Sequence, residues 1–243
     1  MFTRETYLAE ALLAQVPGMT LTRVISGWFA DNYLMVLEMT AQLDQLTMPL
    51  GDGEPKTNAS PSNEDIAPVA VAALIDPETH AGASYRPTGP ELLSPNQIAG
   101  AFGQALGRKV TYNNISERMF RKARRAVPPS NFSEAVMTRL RIYCEEYCRG
   151  SFAVNAPTDH VERLSGQPPA RFADIVASVA KTRPGVRRSF GLRVRAVADF
   201  ARILLARPYD AARLEADRAY IQTNNPVFVR DRPCLVQRPF PQT

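Results

Sequence analysis

Cysteine and long apolar runs are scarce in this chain, and both absences exclude classes of protein. Three cysteines among 243 residues are too few for a small secreted domain held together by disulfides. The longest uncharged apolar run covers ten residues, 66–75, whereas a membrane-spanning helix needs roughly 20. Met1 is followed by Phe-Thr-Arg-Glu rather than by a basic start and an apolar core. We therefore expect no signal peptide and a cytoplasmic protein.

Metal ligands are equally scarce. The chain has two histidines, His80 and His160, and neither stands in the paired spacing of a zinc site. Cys144 and Cys148 are four residues apart on a predicted helix and share one of its faces. Two thiols without further ligands predict no metal site, and we interpret both as ordinary structural side chains.

Positive charge is concentrated at one end of the chain. From Lys181 onward there are thirteen Lys and Arg against five Asp and Glu, so this part is basic and the preceding 180 residues are mildly acidic. A basic extension can serve nucleic acid, an anionic membrane or an acidic partner. No aromatic interleaving or known motif accompanies the charge. We therefore favour a solvent-exposed arginine-rich extension, with no strong signal for nucleic acid or a membrane.

Apolar periodicity and capping residues predict strands and helices that alternate, which is typical of an α/β protein. The predicted strands are 19–25, 83–87 and 109–113. The predicted helices are 3–15, one opened by Asp31, 65–75, 95–106, one capped by Ser116, 132–147, 160–166, 171–181, 191–207 and 210–220. The segment 51–63 is predicted to be a loop from its Gly, Pro, Asn and Ser content. Three strands are few for a doubly wound sheet, and the first of them follows a helix.

An ordered series of short motifs resembles the NmrA-like family, atypical members of the short-chain dehydrogenase/reductase superfamily. The series begins at Ser26-Gly27-Trp28-Phe29-Ala30-Asp31-Asn32-Tyr33-Leu34. It continues with Glu64-Asp65-Ile66-Ala67, Leu74-Ile75-Asp76-Pro77, His80-Ala81-Gly82 with Tyr85 and Thr88-Gly89-Pro90, Ile98-Ala99 with Leu106-Gly107-Arg108, and Leu164 with Gly166, Pro168-Pro169 and Phe172. The order and spacing hold across residues 5–180.

The resemblance implies a Rossmann-like α/β fold that lacks its N-terminal nucleotide-binding half and carries a C-terminal helical extension. Family members begin with a strand, a Gly-x-x-Gly-x-x-Gly loop and a helix that hold the cofactor pyrophosphate, and this chain contains no such loop. Gly51-Asp52-Gly53 is excluded because no buried strand is predicted before it and no helix directly after it. The implied division is 1–182 as the substrate-side portion, 183–222 as a basic helical extension and 223–243 as a proline-spaced tail.

The function implied by the resemblance is the substrate-binding half of an NAD(P)-dependent oxidoreductase acting on a small aromatic or quinone-like compound. The alternatives are a non-catalytic regulatory module linked to dinucleotide binding and an inactive truncated remnant. A complete family member would bind NAD(P) and a small-molecule substrate, and a homo-oligomer is possible. The catalytic residue stays unassigned, since Tyr7 has Ala11 rather than lysine four residues later.

Four residues match positions that lie beside the substrate or cofactor in relatives: Trp28, Phe29, Asn32 and Tyr85. An aromatic pair can wall a planar substrate, and an amide can orient a carbonyl. For Trp28, Phe29 and Asn32 the alternative is packing at the corner between strand and helix. For Tyr85 it is a place in the turn after its strand.

The helix 191–207 is amphipathic in sequence. Its predicted apolar face consists of Val194, Val197, Ala198, Ala201, Leu204 and Leu205. We expect this face to fold back on the domain or to pack against a second subunit. A membrane-surface helix and a nucleic-acid-binding helix are the alternatives.

Overall fold

The computed structural model describes residues 2–126 and 134–210. In chain order the elements are α1 (Phe2–Leu13), β1 (Arg23–Val24), α2 (Asp31–Leu34), α3 (Leu37–Leu43), β2 (Gln45–Met48), α4 (Asn63–Ile75), β3 (Ser84–Tyr85), α5 (Pro95–Leu106), β4 (Thr111–Asn114), α6 (Glu117–Ala126), α7 (Glu134–Cys148), α8 (His160–Ser165), α9 (Phe172–Thr182) and α10 (Phe190–Leu205). The predicted helix 210–220 and the tail 223–243 lie outside the described residues. The three-part division of the chain stays a prediction.

The strands form two parallel pairs. β1 pairs with β3, with Arg23 opposite Ser84 and Val24 opposite Tyr85. This confirms that the predicted strands 19–25 and 83–87 belong to one sheet, although each contributes only two residues to the ladder. β2 pairs with β4 over four residues, from Gln45 opposite Thr111 to Met48 opposite Asn114. β2 was not predicted from the sequence; it begins directly after Asp44, which ends α3 in a left-handed conformation (φ 57°).

The main core lies around β2, β4 and the helices α3, α5 and α9. Tyr33, Leu37, Leu46, Ile98 and Phe102 are fully buried there. A smaller apolar cluster joins α4, β3 and α8 through Val69, Ala83, Tyr85 and Val161. These two clusters pack around the strands and fix the position of their carboxyl ends. Open α/β folds usually bind ligands at that edge of the sheet.

Local capping signals set the bounds of several helices. Ser94 and Gln97 form a reciprocal capping box at the start of α5, and Gly107 ends that helix with φ 65°. Ser62 and Asp65 cap α4 in the same way. Because α4 begins at Asn63, Pro68 lies inside the helix, beyond its first turn. Asp159 precedes α8 but makes no capping hydrogen bond with its side chain.

The helix α1 contacts β1 through an ion pair. Arg23 Nε lies 2.8 Å from Glu10 Oε2. The leucines of α1 do not pack closely on the sheet, since Leu8 is 47% exposed and Leu12 is 67% exposed. The Glu10–Arg23 ion pair therefore links α1 to this sheet.

The helix α10 packs on α3 and α6, but not with the predicted face. Ala196 and Ile203 are buried, whereas Val194 and Val197 are 52% and 54% exposed. Residues seven apart lie on one side of a helix, and the small Ala196 lets the helix axis come close to its neighbours. The fold-back of this helix is therefore confirmed, and the face that makes it is corrected.

No helix among the described residues is both long enough and apolar enough to cross a membrane.

Candidate functional site

Trp28 lies in the main core. Its side chain is 2% exposed, and its ring makes edge contacts with Tyr33 and Tyr147 at centroid distances of 5.9 and 5.7 Å. Phe29 and Asn32 are half-buried. Trp28 thus packs the corner between β1 and α2, while Tyr85 belongs to the smaller cluster.

A buried polar network supports this corner. The Asn58 side-chain amide lies 2.7 Å from the Trp28 carbonyl oxygen, 2.7 Å from Ser60 Oγ and 3.1 Å from the Tyr33 hydroxyl. Tyr33 in turn donates to the Tyr147 hydroxyl at 3.1 Å. Burial raises the pKa of both tyrosines above the ordinary value. Both therefore stay neutral at physiological pH, and the network is structural.

Tyr85 lies between the two histidines of the chain. Its hydroxyl oxygen is 2.6 Å from His80 Nδ1, and its ring meets the His160 ring edge-on at 5.7 Å. The backbone N–H of Arg86 donates to His160 Nδ1 at 2.7 Å. Burial, followed by the Arg163 charge, lowers the pKa of His160. The lowered pKa keeps the imidazole neutral, as acceptance from Arg86 requires.

The lowered pKa of His160 predicts that stability falls on acidification. In the unfolded chain His160 binds a proton as the pH drops below about 6.5, whereas in the folded protein it does so only at lower pH. The free energy of unfolding therefore decreases between that pH and the lower pKa of the folded state. The slope should stay below the one-proton limit of about 1.4 kcal/mol per pH unit because His160 is partly exposed. Urea titrations at several pH values measure it. His160→Asn keeps an acceptor for Arg86 and does not titrate, so an identical slope in that variant would contradict the assignment.

A cavity of about 450 Å³ opens at the carboxyl ends of the parallel strands β2 and β4. Its walls come from three stretches of the sequence, 49–51, 114–120 and 141–149. The lining residues are Pro49 and Gly51 after β2, Asn114 and Ile115 at the end of β4, Glu117 and Phe120 of α6, and Arg141, Cys144, Glu145, Cys148 and Arg149 in the second half of α7 and just beyond it. The volume falls within the range of small-molecule sites.

Tyr112 fixes the loop that forms one wall. Its hydroxyl accepts from the Leu50 N–H at 3.0 Å and lies 2.9 Å from the Gly51 carbonyl oxygen. Gly53 follows with φ 98°, and a Cβ there would lie 2.9 Å from the Tyr112 ring. Burial raises the pKa of Tyr112. This tyrosine is therefore a neutral anchor for the loop.

The charged side chains that line the cavity balance one another. Arg141 Nη1 donates to Glu145 Oε1 at 2.8 Å, and Arg141 Nε lies 3.8 Å from Glu117 Oε1. With Arg149 the cavity holds two acidic and two basic side chains. An uncharged ligand therefore suits the cavity better than a strongly charged one.

Both helix thiols line this cavity, although sequence analysis interpreted them as structural. Cys144 is buried and Cys148 is exposed. Burial raises the pKa of both thiols, so they are protonated at neutral pH and poor nucleophiles. Among the described residues no His, Cys, Asp and Glu cluster could hold a metal ion. The four-residue spacing of Cys144 and Cys148 was the one feature of the sequence that pointed to this wall.

The sequence profile of the NmrA-like family matches residues 11–159. This chain belongs to the NmrA-like family. NAD(P)H azoreductase of Xenophilus azovorans is 30% identical over 167 residues, which are 68% of this chain and 55% of the relative. Quinone oxidoreductase 2 of Escherichia coli is 30% identical over 118 residues, which are 49% of this chain and 40% of the relative. The chain thus spans about half the length of the curated relatives it matches.

Solved structures show the same Rossmann-type α/β fold. The NADPH-dependent quinone oxidoreductase of Escherichia coli superposes with a TM-score of 0.57 at 21% identity, over 72% of this chain and 60% of that one. A nucleoside-diphosphate-sugar epimerase of Staphylococcus aureus gives 0.56 at 21% identity, over 70% of this chain and 56% of that one.

The described residues of this NmrA-like chain do not form a pyrophosphate site, which needs glycines between a strand and a helix N-terminus. After β1, a Cβ on Gly27 would lie 3.2 Å from the Phe152 ring, and α2 begins with the acidic Asp31. Gly51 and Gly53 do follow a buried strand, β2, contrary to the sequence prediction. The next helix, however, begins only at Asn63, so the helix N-terminus is missing there.

Proposed function

We propose that this chain forms the substrate side of an NAD(P)-dependent oxidoreductase that reduces small aromatic or quinone-like compounds. The observation that carries the proposal is the cavity at the carboxyl ends of β2 and β4, the usual ligand position in open α/β folds. The substrate class is supported by the azoreductase and the quinone oxidoreductase among the relatives. A planar uncharged ring system also fits the balanced charges of the walls.

The wall residues would bind and orient such a ring system. Ile115, Phe120 and Pro49 supply apolar surface, and Phe120 offers an aromatic face for stacking. The Asn114 side-chain oxygen lies 3.3 Å from the Tyr112 hydroxyl, which leaves its N–H groups to donate to a substrate carbonyl. Phe29 and Asn32, both half-buried, stay candidate contacts to substrate or cofactor, while Trp28 and Tyr85 would support the site from buried positions.

The cofactor would be NAD(P)H, named for the azoreductase relative, and it would supply hydride to the substrate. Because the described residues form no pyrophosphate site, the role proposed for them is to bind the substrate, orient its carbonyl and exclude water. No catalytic acid is assigned.

The missing glycine loop predicts that these 243 residues alone bind NAD(P)H weakly. Most dinucleotide affinity comes from pyrophosphate and ribose contacts, and the chain has no Gly-x-x-Gly-x-x-Gly sequence. We expect a dissociation constant weaker than roughly 100 μM, about −5.5 kcal/mol. Isothermal titration calorimetry measures it. Tighter binding would show that another segment holds the phosphates.

Substrate binding can be tested without cofactor. Trp28 is the single tryptophan of the chain, and its ring contacts Tyr147. Tyr147 precedes Cys148, which lines the cavity. A quinone bound in the cavity should therefore quench the fluorescence of Trp28. We expect a water-soluble 1,4-naphthoquinone to quench saturably. Cys148→Phe should weaken binding by about tenfold by filling the cavity.

Cys148→Ser is the matched control, because it keeps the size of the side chain and should bind as the unaltered protein does. It also separates occupancy of the cavity from chemical reaction at the thiol. Quenching that is linear in quinone concentration, or equal for Cys148→Phe and Cys148→Ser, would overturn the assignment of the cavity.

A further inference from the structure

The outward side of α10 carries a continuous apolar stripe. Phe190 and Leu205 are 87% and 86% exposed, and between them Val194, Val197 and Leu204 are 52%, 54% and 46% exposed. At 100° per residue these five side chains fall within one arc of the helix, with Ala201 at its centre. The stripe runs the full length of α10.

The stripe lies on the side of α10 away from the protein body. The inner side is held by Ala196 and Ile203, both buried, against α3 and α6. No described residue covers the stripe. A surface helix of an ordinary globular protein is polar on its outer side, and an apolar patch in that place marks an interaction surface.

Arginines border the stripe on both sides. Between 187 and 207 there are six arginines and one acidic residue, Asp199. At 100° per residue, Arg193 falls on one border of the stripe, and Arg195 and Arg202 fall on the other. The side chains of Arg195 and Arg202 are 79% and 66% exposed.

Asp199 offsets only part of this charge, because its one carboxylate faces both arginines of that border. The Asp199 side chain is only 19% exposed, 2.7 Å from Arg202 Nη1 and 4.0 Å from Arg195 Nε. The surface offered to a partner is therefore apolar along its middle and positive along both edges.

The charge pattern decides among the possible occupants. A second copy of the same surface would bring arginines against arginines with no acidic residue on the outer side to pair them, which opposes association. Nucleic acid would place phosphates against the apolar middle of the stripe. An anionic lipid surface satisfies both parts, because apolar side chains enter the acyl boundary while flanking arginines reach the phosphates.

We infer that α10 binds the surface of an anionic membrane, lying in the plane of the interface with Phe190, Val194, Val197, Leu204 and Leu205 inserted and the flanking arginines on lipid phosphates. The helix has 16 residues, about 24 Å at 1.5 Å per residue. The attachment is peripheral and reversible, and it is independent of the proposed reductase activity.

Vesicle flotation with the full chain tests the inference. We expect binding to phosphatidylcholine vesicles that contain about one third phosphatidylglycerol, weak binding to pure phosphatidylcholine vesicles, and release as salt rises to about 0.5 M. The double variant Phe190→Gln/Leu205→Gln should lower the partition coefficient by about tenfold or more. Arg193→Gln/Arg195→Gln should have a similar effect, since each arginine near the surface contributes about fivefold.

Matched controls separate membrane binding by α10 from nonspecific hydrophobic adsorption and from attraction by basic residues elsewhere. Leu74→Gln/Ile75→Gln alters two apolar residues on α4 that are each 78% exposed, and Lys56→Gln/Arg171→Gln removes two exposed positive charges elsewhere. Both should bind vesicles as the unaltered protein does.

Three results would overturn the inference. The first is no binding to anionic vesicles, or equal losses in the α10 and control variants. The second is a dimer in light scattering that Phe190→Gln/Leu205→Gln dissociates, which would assign the stripe to a second copy. The third is binding of a short DNA duplex that Arg193→Gln/Arg195→Gln abolishes at equal salt.

Discussion

Replacing Asn58 by alanine is expected to lower the free energy of unfolding by about 3 kcal/mol. Asn58 is 3% exposed, and its amide lies 2.7 Å from both the Trp28 carbonyl oxygen and Ser60 Oγ. The alanine variant leaves buried acceptors without a donor, each costing about 1–3 kcal/mol, and adds a small cavity. Urea denaturation followed by Trp28 fluorescence measures the loss.

Asn58→Asp should cost more than Asn58→Ala, although its side chain has the same size. A carboxylate has no N–H to donate, and it would place negative charge against the Trp28 carbonyl oxygen in a buried site. Asn113→Ala is the control: this asparagine is exposed on β4, and the change should stay within about 0.5 kcal/mol. An Asn58→Ala loss as small as that of the control would mean that water replaces the amide.

The elements that sequence analysis placed correctly carry their own signals. For α5, Ser94-Pro95 marks the start and Gly107 marks the end, and the structure has the helix at Pro95–Leu106. These residues act on the backbone within one turn, so the rest of the fold is not needed to interpret them. The same holds for the loop 51–63, which was predicted from its Gly, Pro, Asn and Ser content.

The elements that were missed or wrongly described depend on distant partners. β2 has four residues, and only its pairing with β4, more than sixty residues later, makes it a strand. The face of α10 was assigned from its bulky residues, yet α3 and α6 contact the side that carries Ala196 and Ile203. An amphipathic pattern shows that a face is apolar and does not show what covers it.

The cavity could not be predicted for the same reason. Gly51, Asn114 and Cys148 share a wall only because β2 and β4 run parallel and α7 crosses their carboxyl ends. The family resemblance directed attention to Trp28 and Tyr85, which are buried in separate clusters. The residues that line the cavity lie outside the family motifs quoted from the sequence.

Gly103→Ala is expected to destabilise the protein by about 2 kcal/mol, against the usual helical preference for alanine. Gly103 lies in α5 where the chain reverses at Gly107 and passes back over the helix. A Cβ on Gly103 would lie 2.8 Å from the Arg108 carbonyl oxygen and 3.3 Å from the Val110 nitrogen. Both atoms belong to the backbone leading into β4, so they cannot rotate away, and overpacking of this kind costs about 1–3 kcal/mol.

Gly100→Ala is the matched control on the same helix. Nothing lies within 4 Å of a Cβ at Gly100, and the position is exposed, so alanine should stabilise the protein by up to about 1 kcal/mol through helix propensity. The two variants, three residues apart, should therefore shift the urea midpoint in opposite directions. If both were stabilising, the turn at 107–110 would have to move without disturbing the β2–β4 pair. That result would contradict the close contact between a Cβ at position 103 and the backbone of the turn.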